Sequence, residues 1–246
     1  MCRPGFETTV RDGVLRFSRP GTRWLSSGFD GGESRGPAAY NVTVPDGFSR
    51  TDLAAFARER RDAVGFEDEG PTLLTGVHMR HARRARLGPV DVVATAGVSN
   101  PAALPVEVDG DVVESDPKPG TVAADETPPR TGTVNLLVGT TRALDPGALA
   151  NLLTVVAEAK AATLLSSVNV PGTTSDAVVV GCDPAGERTR FSGSSTDVGA
   201  AARACVRDAV LASLQSRYAD EEMPTSVDDA PYGVVTDERA DVSTPE

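Results

Sequence analysis

The sequence predicts an α/β (or α+β) fold, a single domain in which helices cover a mixed β-sheet. Three observations support this class. Short apolar runs of strand length alternate with longer segments that have helical spacing. Two of those longer segments are rich in alanine and contain no helix breaker after the first turn. The chain has 246 residues and no internal repeat, which suits one domain with a sizeable core.

The predicted strands begin near the N-terminus. Residues 14–27 are predicted to form two short strands broken at Arg-Pro-Gly, and residues 38–44 alternate in polarity before Pro45. Further apolar runs have the length of buried strands, and these are 72–78, 90–99, 133–139 and 176–182. Polar segments between these runs are predicted to carry the turns.

Helical spacing predicts three helices. Residues 49–65 open on Ser, Thr and Asp and then place apolar side chains on one side. Residues 146–167 follow Asp145, a natural N-cap, and begin with Pro146 in the first turn. Residues 197–217 are predicted to form a long alanine-rich helix.

Two acidic segments fall outside this pattern. Residues 105–130 hold seven acids and five prolines, so they are predicted to be a solvated loop inserted into the domain. Residues 219–246 hold nine acids and one arginine, without periodicity, and are predicted to be a disordered tail. The folded domain is therefore expected to span residues 1–218.

The charged residues indicate adaptation to high salt. Net charge is −11, and only two of the 24 basic residues are lysines, Lys118 and Lys160. Such an acidic, arginine-rich surface is strongly hydrated, and concentrated salt screens its self-repulsion. The same charge argues against partners that need a positive surface, namely nucleic acids and anionic membranes. The net charge does not argue against a homo-oligomer.

The cysteines and the apolar runs bear on the compartment. Cys2, Cys182 and Cys205 are odd in number and form no CxxC pair, which suits a reducing compartment. We find no apolar run of about 18 residues and no N-terminal apolar segment typical of a signal peptide. The sequence therefore predicts a cytoplasmic protein without a membrane span.

Lys160 is unusual because lysine is so rare in this chain. Helical spacing puts it on the apolar face of the 146–167 helix, between Val156 and Leu164, while Glu158 points away from that face. Either the side chain snorkels to water, or its ammonium enters a cleft to hold a carboxylate or transfer a proton. Arginine cannot give up a proton at working pH, so a proton-transfer site would require lysine.

Four motifs occur in order between residues 95 and 176, and they resemble the adenosylcobinamide amidohydrolase family. They are "TAGVSNP" (95–101), "GTVN" (132–135), "EAK" (158–160) and "GTTSD" (172–176). "LSSGFDGG" (25–32) and "YNVTVP" (40–45) are similar to an early segment of that family. The resemblance covers about residues 14–212. The acidic loop, the tail and the basic segment "GVHMRHARRAR" (76–86) depart from it.

The resemblance implies hydrolysis of adenosylcobinamide at its aminopropanol amide, which gives adenosylcobyric acid during corrinoid salvage for coenzyme B12 synthesis. It implies no cofactor, because cobalt enters only as part of the corrinoid substrate. An alternative from another class is a corrinoid-binding carrier that does not cleave its ligand. Detection of a new carboxylate product would distinguish the two.

Amide hydrolysis needs an activated nucleophile, a proton donor for the leaving amine and donors for the oxyanion. Our order of preference for acid–base work is Lys160, Asp176 and then Glu158, and Ser99 is the candidate nucleophile with Lys160 as its base. Each of these residues also has a purely structural interpretation in a turn or on a helix surface. The candidate substrate-binding residues are Ser26, Ser27, Thr95, Asn100, Thr133, Asn135, Thr173 and Thr174.

No metal site is predicted. The only histidines are His78 and His81, and the arginines around them favour an exposed, positively charged helix over a metal-binding one. The arginines at positions 80, 83, 84 and 86 are interpreted as a solvated face paired with acids. Contact with the phosphate of a nucleotide-bearing corrinoid is the functional alternative.

Overall fold

A computed structural model of the chain describes residues 5–105, 132–230 and 232–245. Its strands are β1 (Glu7–Arg11), β2 (Val14–Ser26), β3 (Gly32–Thr43), β4 (Thr72–Thr75), β5 (Arg83–Leu87), β6 (Val90–Ala96), β7 (Pro101–Ala103), β8 (Val134–Thr140), β9 (Ala143–Leu144), β10 (Gly172–Thr173), β11 (Ala177–Cys182), β12 (Arg188–Thr189) and β13 (Val234–Val235). Its helices are α1 (Leu53–Ala63), α2 (Pro146–Val168) and α3 (Asp197–Arg217), with a 3₁₀ turn at Met79–His81.

The main sheet is mixed, as the sequence predicts. Its strand order is β4-β3-β2-β11-β8-β6-β5, and β1 adds to β2. β11 runs parallel to β8 and β3 runs parallel to β4, whereas the other neighbours are antiparallel. α2 packs on β11 and α3 packs on β6, so both long helices cover one face. The predicted α/β class is confirmed.

The central strand β8 separates two chemically different faces. Val134, Leu136 and Val138 point to α2 and α3, and Leu137 points to the opposite face. Asn135 lies two residues before Leu137, so it shares that opposite face. We call this face the inner face, because β3 and β4 approach β8 across it.

Aromatic side chains fill one end of the inner face. Phe6 stacks on Phe17, and Trp24 packs against both rings. Two glycines make room for them. A Cβ at Gly181 would lie 2.4 Å from Trp24, and one at Gly139 would lie 2.4 Å from Phe6. The other end of the inner face carries Asn135 and is polar.

Residues 14–27 form one strand, where the sequence predicts two. β2 continues through Arg-Pro-Gly, but its register against β3 shifts between Ser18 and Thr22. Gly21 adopts φ of +70° there, which a bulge tolerates. The predicted break is therefore a bulge, since the partner strand keeps both halves in one ladder.

The basic segment after β4 is not the helix that its arginines suggest. Met79–His81 form a single 3₁₀ turn, and the chain then enters strand β5. His81 is 8% exposed, and its ring contacts the Ser216 hydroxyl at 3.1 Å. The pairing of the arginines with acids does hold at Arg84 and Arg86, which both bind the buried Asp91.

The cap of α2 also differs from the prediction. Asp145 occupies the N-cap position, but its side chain makes no capping hydrogen bond. Its carboxylate accepts from Arg188 at 3.0 and 3.3 Å instead. α2 is long and apolar enough to cross a membrane, but the buried core helices of soluble proteins meet the same criterion. In this fold α2 buries nine side chains within the protein.

The acidic tail makes contacts that its composition does not predict. Val234–Val235 form β13, which pairs with β7, and the Tyr232 N–H donates to the Ser99 carbonyl at 3.2 Å. Met223 and Val227 pack against the main core. A few apolar residues thus hold this segment on the domain, in contrast to the predicted disorder. Except for its first residue, the predicted loop 105–130 lies outside the described residues.

Candidate active site

The site begins with the lysine of α2. Only 12% of the Lys160 side chain is exposed, in line with its predicted inward direction. Its ammonium forms an ion pair and hydrogen bond with Asp176, whose side chain is 10% exposed. The two residues ranked first for acid–base chemistry are therefore in direct contact, although a helix end and a turn separate them along the chain.

Asp176 accepts hydrogen bonds from four donors. Besides the Lys160 ammonium, these are the backbone N–H groups of Val134 at 2.8 Å and Thr173 at 3.0 Å, and the Thr173 hydroxyl. Four donors occupy most of the lone pairs of a carboxylate and fix its orientation. This arrangement makes Asp176 an anchor for Lys160 and a poor general base.

Gly172 permits the close packing of this pair. A Cβ at Gly172 would lie 2.7 Å from Asp176 Oδ2 and 2.9 Å from Lys160 Nζ. Real Cβ atoms essentially never approach so closely. The glycine of "GTTSD" therefore has a local reason to be there, and the larger guanidinium of an arginine at 160 would have little room.

The loop after β6 forms the second part of the site. The Asn100 amide donates to Thr174 Oγ1 at 2.7 Å, and the Asn100 carbonyl accepts from the Thr174 N–H at 3.1 Å. Asn100 Oδ1 is buried and has no donor among the described residues. A Cβ at Gly132 would lie 2.3 Å from Asn100 Oδ1 and 2.6 Å from Ser99 Oγ. An unsatisfied acceptor and a hydroxyl thus meet in one small space.

A chain of buried polar side chains continues onto the inner face. Asn135 donates to Asn41 Oδ1 at 3.0 Å and to the Leu74 carbonyl at 2.9 Å, and Asn41 donates to Thr95 Oγ1 at 2.8 Å. Asn135 Oδ1 is a second buried oxygen that lacks a donor within the described ranges. Buried amide oxygens without donors are costly, so such positions are typical of ligand or water sites.

The other predicted binding residues lie around this core of the site. The hydroxyl of Thr133 is 2.5 Å from that of Thr75. Ser27, at the end of β2, accepts from the Val178 N–H at 3.0 Å, and the Ser26 hydroxyl bonds within its own turn. Both serines therefore hydrogen-bond at the end of β2, and neither bonds to the ion pair within the described residues.

Glu158 is not brought to the site. It is 58% exposed and lies 3.8 Å from Arg203 of α3 in an ion pair. This position agrees with the prediction that it points away from Lys160. Its use as an acid–base residue has no geometric support.

Sequence patterns missed the residues that hold the loop after β6. The Ser213 hydroxyl accepts from the Ala96 N–H at 2.9 Å, and the Tyr218 hydroxyl accepts from the Val98 N–H at 2.9 Å. Both side chains belong to the C-terminal end of α3. A hydroxyl on a helix gives no sequence signal that it will bind a distant backbone N–H. The position of both residues near the predicted end of the 197–217 helix is the one pattern that could have drawn attention to them.

The described residues contain no group of three or more His, Cys, Asp or Glu side chains placed to hold a metal ion. Fold and site together define an α/β protein with a largely buried ammonium–carboxylate pair beside hydroxyls and unsatisfied amide oxygens. Such groups suit acid–base hydrolysis. The absence of a required cofactor stays a prediction.

Comparisons with known proteins define the family. The family model described as adenosylcobinamide amidohydrolase matches residues 5–222. An adenosylcobinamide amidohydrolase of Halobacterium salinarum is 54% identical over 98% of this chain and 100% of its own length. One of Methanosarcina mazei is 27% identical over 78% of this chain and 90% of its own. The chain therefore belongs to the adenosylcobinamide amidohydrolase family.

Proposed function

We propose that this chain hydrolyses the amide that joins aminopropanol to the corrinoid side chain of adenosylcobinamide. The observation that carries the proposal is 54% identity, over nearly all of both chains, with a relative of that name. Water is added across the C–N bond, which gives adenosylcobyric acid and free aminopropanol. The acid can then re-enter coenzyme B12 synthesis. Cobalt enters the reaction only as part of the substrate.

Lys160 is the proposed electrophilic residue. Among the described side chains only Asp176 contacts its ammonium, so two further N–H bonds remain for a substrate oxygen. A fixed cation beside the scissile carbonyl stabilises the negative charge that develops on its oxygen. The four donors on Asp176 favour this role over the one we ranked first from sequence, in which Lys160 activates the nucleophile as a base.

Ser99 is the proposed nucleophile. It is half-buried at the mouth of the loop, whereas Thr95 and Thr133 are buried. Attack by Ser99 forms an ester with the substrate carbonyl and breaks the C–N bond, and the hydroxyl proton of Ser99 passes to the nitrogen so that aminopropanol leaves. Water then cleaves the ester, which frees the acid and restores Ser99. Mass spectrometry of enzyme quenched during turnover should detect the acyl adduct. A Ser99→Ala variant with undiminished turnover would assign the attack to water.

Asn100 is the proposed residue that recognises an amide. Its buried Oδ1 lacks a donor among the residues that the structure describes, and the N–H of a substrate amide would supply one. Thr173 and Thr174 belong to the wall of the same site, because they bond to Asp176 and Asn100 respectively. Asn135 and Thr95 lie on the inner face, where both hydrogen-bond to Asn41.

The direct test is incubation with adenosylcobinamide, followed by chromatography and mass spectrometry for the new carboxylate and for aminopropanol. Lys160→Met is the matched control, since Met keeps most of the buried stem and removes the charge. Product from the wild type and little from the variant would support the proposal. Corrinoid binding without any product would favour the carrier alternative instead.

We also propose a salt-adapted cytoplasmic protein, from the net charge of −11, the scarcity of lysine and an odd number of cysteines without a CxxC pair. Loss of screening at low ionic strength should loosen the fold. Thermal melts across a potassium chloride series should give a lower Tm at low salt. A Tm that is unchanged or higher at low salt would remove the salt-adaptation proposal.

A further inference from the structure

Arginines concentrate at the end of β11 that lies away from the proposed active site. Strand register places Arg23 of β2 directly opposite Arg35 of β3, and opposite Cys182 of β11 on its other side. Like charges directly opposite each other across a sheet are destabilising. In a chain of net charge −11, this pair needs a local reason.

A cavity of about 260 Å³ opens over this row of residues. Three arginines line it, Arg23, Arg35 and Arg188, and among the described residues Asp145 is the one acid on its wall. The turn at Pro184 and Gly186 closes one side. The wall therefore carries an excess of positive charge within a space large enough for a small anion.

Nearby carboxylates leave this charge incompletely matched. Asp145 is already bound by Arg188, at 3.0 and 3.3 Å. Glu33 approaches Arg23 Nε only to 3.6 Å, and that buried Nε has no hydrogen-bond acceptor among the described residues. The Arg35 side chain is exposed and makes no hydrogen bond or ion pair within the described part of the chain.

The electrostatic field in the cavity favours negative charge. Hydrogen bonds from Arg188, with the charges of Arg190 and Arg23 behind them, hold the pKa of Asp145 below its ordinary value of 3.8. Arg188 and Arg23 also line the cavity, so an oxyanion there would meet their positive charge together with the negative charge of Asp145. Arginine also suits oxyanions geometrically, because its planar fork donates two parallel hydrogen bonds.

We propose that this cavity binds a tetrahedral oxyanion of the phosphate class, held between Arg23 and Arg35. Inorganic phosphate and the phosphate of a small monoester share this chemistry. Cys182 lies six positions after Asp176 along β11, which is roughly 20 Å at about 3.3 Å per residue. The site is therefore separate from the reaction site, and the proposal does not rest on the proposed function.

Titration calorimetry of the full chain with inorganic phosphate tests the proposal, with potassium chloride holding the ionic strength constant. A parallel titration with glycerol phosphate distinguishes the two sources, since a monoester that binds more tightly fits a ligand with an organic tail. We expect saturable binding with one phosphate per chain. Arg35→Ala should weaken it at least about tenfold, the effect of a lost hydrogen bond to a charged group.

Arg58→Ala is the matched control. Arg58 is an exposed arginine on the neighbouring cavity, and it is not part of the proposed site. It should leave phosphate affinity unchanged, and both variants should keep wild-type hydrolysis of adenosylcobinamide. Absence of binding in the wild type would overturn the proposal. So would equal affinities in the wild type and Arg35→Ala, or equal weakening by both variants, which would indicate only net charge.

Discussion

Within the described part of the chain, the two ends of strand β11 differ in which hydrogen-bonding groups lack a partner. At its N-terminal end, beside Asp176, the unsatisfied atoms are acceptors, the amide oxygens of Asn100 and Asn135. At its C-terminal end, beside Cys182, the unsatisfied atom is a donor, Arg23 Nε. The first end suits a neutral ligand that brings N–H groups, and the second suits an anion.

The two ends also differ in the cation that they use. Lys160 is a compact point charge, packed where Gly172 leaves little room. Arg23 and Arg35 are planar, multidentate donors over an open cavity. In a chain with only two lysines, the choice of cation therefore follows the geometry of each site. The predictions below test whether the chemistry of amide cleavage is confined to the first end.

The largest effect is expected at Lys160. Lys160→Met should fold normally and lose at least about a hundredfold in kcat, because the cation beside the carbonyl is gone. Glu158→Gln on the same helix is the control and should keep wild-type turnover, since Glu158 is exposed. Wild-type kcat in Lys160→Met, measured by product formation, would show that the pair of Lys160 with Asp176 is only structural.

The next effect is expected at Gly132. In Gly132→Ala the new methyl would meet Asn100 Oδ1 and the Ser99 backbone, so turnover should fall about tenfold and stability by about 1–3 kcal/mol. Gly147→Ala is the control, because nothing lies within 4 Å of a Cβ there. It should be neutral or stabilising by up to about 1 kcal/mol. Equal turnover in both variants would separate the loop from catalysis.

Much of this N-terminal end could be predicted from sequence, but not its internal contacts. Helical spacing gave the inward direction of Lys160, and the predicted helix 197–217 matches α3. The contact of Lys160 with Asp176 depends on how α2 crosses β11, which no local pattern encodes. The same is true of Asn41, whose partner Asn135 lies on a strand that is not its neighbour in the sheet.

The arginine end was less predictable. A strand of alternating polarity fits β2, but only the register across the sheet places Arg23 opposite Arg35. A bulge within β2 sets that register, whereas the sequence suggested a break. Long-range pairing of strands thus decides which charges meet, and composition alone gives only their number.

A smaller effect on kcat is expected when the hydrogen bond between the end of α3 and the loop after β6 is removed. Tyr218→Phe removes the acceptor of the Val98 N–H but keeps the ring. We expect kcat to fall about three- to tenfold, as for one lost hydrogen bond, with little change in KM. Tyr40→Phe is the control, since it loses a hydrogen bond to the Asp68 carbonyl elsewhere in the fold.

Both tyrosine variants should lose similar stability, by about 1 kcal/mol, in urea unfolding. A fall in kcat for Tyr218→Phe alone would identify Tyr218 as a positioning residue that acts through Val98. Equal kcat in the two variants would reduce Tyr218 to a structural role. Turnover at the N-terminal end of β11 would then not need the hydrogen bond from Tyr218.

The smallest effect concerns pH and the support beneath the same loop. Burial, followed by the charges of Arg80 and Arg217, lowers the pKa of His81 below its ordinary value of 6.5. The folded protein therefore keeps the ring neutral, while the unfolded chain binds a proton more readily. The stability contributed by neutral His81 should be complete above about pH 6.5 and should decrease as pH falls below that value. Urea unfolding between neutral and mildly acidic pH measures this change. His81→Gln should remove this part of the pH dependence, and His78→Gln, at an exposed histidine, should leave it intact.

Because the His81 carbonyl accepts from Ser213, which holds the Ala96 N–H, kcat should decrease over the same pH range in the wild type more than in His81→Gln. Identical pH profiles for these two proteins would contradict a link between His81 and the loop.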